Sequence, residues 1–155
     1  MLPRYPFALV FSLLACRGPA EPSVCQGFAD RELAITGAEY RPCAGQILAE
    51  LDSLQPHLQA ILSDSSVAVE NAAAHRVLEK LRNLVRQTGI EDDYRSMRPG
   101  TVVVKWPDGA VSGFNSMAFM AMVQYMAVLA HPNEDNFAQG KKAHEEARSS
   151  YEQIE

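Results

Sequence analysis

The chain is short of the residues that usually organise chemistry. Its 155 residues include three cysteines, four histidines and one tryptophan. No HExxH pair is present, which speaks against a zincin-type metal site, and the lack of CxxCH speaks against covalently held haem. Neither Cys25 nor Cys43 sits in a close-spaced Cys or His cluster of the kind that holds structural zinc. Basic residues are outnumbered 19 to 14 and form no block, so nucleic acid, which needs clustered Lys and Arg, is not an expected partner. The acidic run Glu91-Asp92-Asp93 lacks the alternating oxygen ligands and the glycine of a calcium loop, and reads as a solvated helix start. Gly109–Gly113, GAVSG, places Ser112 one position away from nucleophile-elbow spacing, and no Asp–His pair can be assigned to it. No internal repeat or low-complexity tract is visible.

What is present begins with an address. Arg4 is the single charge before Phe7–Ala15, FALVFSLLA, which is apolar apart from Ser12. A short basic region, an apolar run and then small residues form the secretory pattern, too short to span a bilayer permanently. The run closes on Leu13-Leu14-Ala15-Cys16, which resembles the bacterial lipobox. That resemblance implies a leader over 1–15, cleavage before Cys16, and acyl chains such as palmitate on Cys16. The alternatives are ordinary leader cleavage near Ala20, or a Cys placed there by chance. Loss of residues 1–15 moves the formal charge from −5 to −6.

Cysteine parity agrees, because an odd thiol in an oxidising compartment needs another use. With Cys16 acylated, Cys25 and Cys43 remain as a disulfide candidate closing a loop of under twenty residues; the competing reading is two free core thiols. Residues 16–24, with Pro19, Pro22 and Gly18, form a lipidated tether, leaving 25–155 as one domain. Arg17 is not the Asp that retains enterobacterial lipoproteins at the inner membrane, so the resemblance implies the outer membrane, facing the periplasm.

The domain reads as mainly α, a four-helix bundle-like fold. Ile47, Leu51, Leu54, Leu58 and Ile61 alternate in spacings of four and three, giving a first helix over 46–62 that Pro56 should kink or break. A second runs through Val67, Ala74, Val77, Leu78, Leu81, Leu84 and Val85, capped from Asp64–Ser66 and stopped by Gly89. The two should pair as a helical hairpin. Thr101–Trp106, then Pro107-Asp108-Gly109 and Ala110–Ser112, read as a small β-hairpin between the second and third helices, with 32–35 as a weak further strand. Asn115 or Ser116 could cap a third helix over Met117–Ala130, apolar nearly all round and hence central. In the fourth, Glu134–Ile154, the residues Phe137, Gly140, His144, Ala147, Tyr151 and Ile154 make a narrow seam.

Candidate ligands are sparse. Met117, Met120, Met122 and Met126 with His131 invite a copper reading, thioether sulfur being a soft ligand. Helical geometry sends Met117 and Met120 to one face and Met122 and Met126 to nearly the opposite one, which suits core filling better. His57 and His75 could face each other across the helical hairpin, though without further ligands. Trp106 sits at a hairpin end, where packing under the turn competes with a partner-anchoring role. The function these features suggest is a lipid-anchored, non-enzymatic envelope module with a protein partner and no cofactor. In architecture alone it resembles secretion-system pilotins. The alternative is a periplasmic copper-binding protein or a small envelope enzyme.

Overall fold

The computed structural model describes residues 23–31, 34–64, 68–91 and 108–155. The expected leader, Cys16, most of the tether, Trp106 and the first hairpin arm lie outside the described residues. Within them the chain forms four helices, α1 (Gly37–Ser63), α2 (Ala68–Thr88), α3 (Gly109–Ala130) and α4 (Glu134–Glu152). The mainly helical bundle is therefore as expected, whereas the β-hairpin is not: no strand occurs among the described residues, and the supposed second arm, Ala110–Ser112, is the first turn of α3. The reason is local. Asp108 accepts hydrogen bonds from the amides of Ala110 (2.7 Å) and Val111 (3.3 Å), so Asp108-Gly109 opens a helix instead of closing a hairpin turn.

α1 also starts earlier than its apolar stripe suggests. Thr36 and Glu39 form a reciprocal capping box, Thr36 Oγ1 accepting from the Glu39 amide while Glu39 accepts from the Thr36 amide. Arg31 donates to Glu39 at 2.7 Å, and that guanidinium, followed by the Thr36 hydrogen bonds, holds the Glu39 carboxyl down to about 2. The helix then runs through Pro42 and Pro56 without interruption, contrary to the expected break. Both proline rings face solvent while Leu51, Leu54 and Leu58 are fully buried, so the core face stays intact around the missing amide bond.

α2 ends at Gly89, whose φ of +75° suits a residue without Cβ. α3 has 22 residues, eight more than expected, so shortness no longer argues against a membrane span: by length and composition it could cross a bilayer. Its packing makes it an inner helix here. Val111, Phe114, Ala118, Ala121, Met122, Tyr125 and Val128 are buried against neighbouring helices. α1 and α3 form the central pair, with α4 packed on one side of it and α2 on the other; among the described residues α2 and α4 do not meet. The α4 seam is as expected, with Gly140, His144, Ala147 and Ile154 buried and Phe137 and Tyr151 half-buried. Its end is clamped to the start of α1: Arg41 donates to the Ile154 carbonyl and lies 5.0 Å over the Tyr151 ring.

Candidate functional site

Two places gather polar chemistry. The first joins three helices at His144 on α4. Its Nε2 stands 3.0 Å from Oδ1 of Asp52 on α1, and its Nδ1 is 3.3 Å from the hydroxyl of Tyr125 on α3. Arg148, one turn further along α4, donates to the same Asp52 oxygen. The imidazole is 4% exposed, and burial holds its pKa below the ordinary histidine value, with Arg148 acting in the same direction and Asp52 opposing. Burial likewise pushes the Tyr125 phenol up, helped by the Asp52 and Glu145 charges. A hollow of about 180 Å³ lies alongside, lined by Gln55, His144, Glu145 and Arg148. Nδ1 lies within hydrogen-bond reach of Tyr125, whereas Nε2 is at ion-pair distance from Asp52 yet is buried without a hydrogen-bond partner among the described residues, so the ring's contacts join α1, α3 and α4.

The second place is a groove of about 480 Å³ between the incoming N-terminal segment and the first two helices. Among the described residues it is lined by Ser23 and Val24, by Gln46 and Glu50 of α1, and by Lys80, Asn83, Leu84 and Gln87 of α2. The segment is held there by two links. Cys25 and Cys43 have their sulfurs 2.10 Å apart, at disulfide distance, and the Ala29 amide donates to the Gln87 carbonyl at 2.9 Å. Phe28 packs edge-on against Tyr40, ring centroids 5.3 Å apart. Val24 is left half exposed at the rim, and the Gln87 side-chain carbonyl is buried with no hydrogen-bond partner. A groove with apolar patches, neutral amides and one cation and one anion is suited to binding a polypeptide segment or a small amphiphile.

Other expected positions come out as follows. Met117 is half-buried against the core, Met120 is exposed, Met122 is buried, and Met126 is half-buried. His131 is the exposed C-cap of α3. At about 1.5 Å of rise per residue His131 lies roughly 16 Å along the helix from Met120 and about 21 Å from Met117, so the three cannot share one ion. Among the described residues no group of three or more His, Cys, Asp or Glu is placed to hold a metal. His57 is half-buried on α1, while His75 is exposed and lines a different hollow with other α2 residues. Ser112 is exposed in the first turn of α3.

Sequence reasoning did not single out Asp52, Tyr125, Gln87 or Val24. Only for His144 was there a signal, its place in the α4 seam. Compared with protein-family models, with curated proteins and with solved structures, the chain matches none.

Proposed function

We propose that the chain is a lipid-anchored envelope protein whose helical domain is a non-enzymatic binding module, with the groove between Val24, α1 and α2 as its binding surface. The observation that carries this reading is the position of Val24. The residue at the end of the expected tether forms the groove's rim, so ligand site and anchor are joined by eight residues. Fully extended, those residues span at most about 26–29 Å, and whatever occupies the groove is kept within that distance of the acylated Cys16. A pilotin-like or accessory role at the outer membrane, facing the periplasm, fits such a plan: a partner segment is held next to the bilayer it must reach.

Two measurements test it. Metabolic labelling with a radioactive fatty acid is expected to mark the native protein and to fail on the Cys16→Ala chain. A photocrosslinker at residue 24 is expected to capture one envelope protein at near-stoichiometric yield, and the same crosslinker at Gly109, a site remote in sequence from the groove, is expected to capture none. Equal, diffuse capture from both positions removes the groove from consideration.

A further inference from the structure

α2 carries a cluster of exposed basic residues. Its exposed described residues include Arg76, Lys80, Arg82 and Arg86 against a single acid, Glu79, on a chain whose net charge is −5. The sequence alone suggests scattered basic residues; the helix places Arg76, Arg82 and Arg86 on its exposed side, with Lys80 at the edge where that side meets the groove along α1. Their lack of partners is shared among the described residues by Lys141 and Lys142 of α4, but by no other described arginine. Every described arginine elsewhere has a partner: Arg31 has Glu39, Arg148 has Asp52, and Arg41 has the Ile154 carbonyl and the Tyr151 ring. Among the described residues the four cations of α2 have neither an ion pair nor a hydrogen bond. Between them lies a hollow of about 380 Å³ lined by His75, Leu78, Glu79, Arg82, Asn83 and Arg86, room enough for a phospholipid headgroup.

We infer that this face of α2 rests on the bilayer, its cations against anionic phospholipid headgroups and the Arg82–Arg86 hollow receiving a headgroup phosphate. The inference rests on the anchoring proposed above, which fixes the distance: Ser23 and Val24 line the groove that also contains Lys80 and Asn83, so the tether arrives at the edge of this same face. An acidic domain held within a few nanometres of an anionic surface is repelled over most of its perimeter. The basic cluster of α2, unlike α4 where Lys141 and Lys142 sit among Glu145, Glu146 and Glu152, then favours this side turning inward, each Lys or Arg near such a surface adding favourable energy that falls off within a Debye length. Guanidinium groups suit the role because their fork matches phosphate oxygens. α4, on the opposite side of the central pair, would then point away from the membrane.

The test uses the full chain, expressed in bacteria, purified in detergent and reconstituted into vesicles of phosphatidylcholine alone or with phosphatidylglycerol added. Intact mass beforehand shows whether Cys16 carries acyl chains, which judges the anchoring by itself; a retained leader would also hold the chain on the vesicle, so the second readout stands either way. That readout is the rate at which an arginine-selective reagent modifies Arg76, Arg82 and Arg86, compared with Arg31 on the same molecules. The expected result is slowing by roughly fivefold or more for the α2 arginines in phosphatidylglycerol vesicles only, reversed by 0.5 M salt that shortens the screening length to a few ångströms, on the order of 4 Å. Equal rates in both vesicle types, or slowing that free inorganic phosphate produces as well without vesicles, would overturn it.

Discussion

His144 on α4 and Asp52 on α1 meet at 3.0 Å, Nε2 to Oδ1, although the imidazole is buried and the carboxylate is half exposed. Burial outweighs the attraction of Asp52 and keeps the ring neutral below the pH at which a free histidine gains its proton. In the unfolded chain His144 protonates near the ordinary value of about 6.5. Below that pH the unfolded state takes up the proton first, so the stabilisation is complete above about 6.5 and is lost as pH falls toward the lower folded value. Urea midpoints measured from pH 7.5 to pH 5 should decline, and H144Q should flatten the decline. A midpoint that rises on acidification would contradict the assignment.

Gly140 is required by Tyr125. A Cβ at residue 140 would stand 2.5 Å from Cε1 and 2.6 Å from Cδ1 of that ring, which is fully buried and cannot swing aside. G140A is expected to destabilise by about 1–3 kcal/mol through overpacking between α3 and α4. Gly109 has nothing within 4 Å of its would-be Cβ, so G109A serves as the control and should change stability by less than about 0.5 kcal/mol. Thermal melts of the two variants side by side decide the point.

Tyr40 donates to Asn115 Oδ1 at 2.7 Å inside the core, and the Asn115 amide nitrogen is buried without a partner. Y40F leaves both ends of that amide unsatisfied and should lower stability by about 1–3 kcal/mol. Replacing both residues, Y40F with N115L, removes the buried polar atoms together and should cost less than the sum of the single changes. Strict additivity in a double-mutant cycle would mean that the two groups do not interact.

Cys25 and Cys43 are separated by 18 residues, and their bridge ties the incoming segment to α1. On the chain-entropy model, loss of such a link lowers stability by about 3 kcal/mol. Denaturation with and without reductant should differ by that order in the native protein and should coincide in the C25A/C43A variant. Coincident curves for the native protein would show that the two thiols are not joined.

How far the chain could be read in advance varied from element to element. α2 and α4 were legible because their apolar residues recur at helical spacing, and α2 also carries an ordinary stop signal in Gly89. The entrance to α1 carried a signal too, the Thr36-Gly37-Ala38-Glu39 capping box, but it lies ahead of the apolar stripe and among small residues. The entrance to α3 was misread because Pro-Asp-Gly serves equally as a hairpin turn and as a helix N-cap, and local chemistry does not separate the two. What separates them is packing: as helix, Val111 and Phe114 face inward, and the Phe114 ring meets Tyr40 at a centroid distance of 6.4 Å.

By itself the order of residues determined the helical class and the α4 seam, since periodicity is a property of the chain, and it left Cys25 and Cys43 as a disulfide candidate whose sulfurs the fold brings to disulfide distance. Only tertiary structure decided the rest. Asp52, Tyr125 and His144 lie on three helices, and Val24, Glu50 and Lys80 come together from three segments distant in sequence. Spacing along one chain does not encode which helix faces meet, because that is set by side-chain volumes packing in three dimensions.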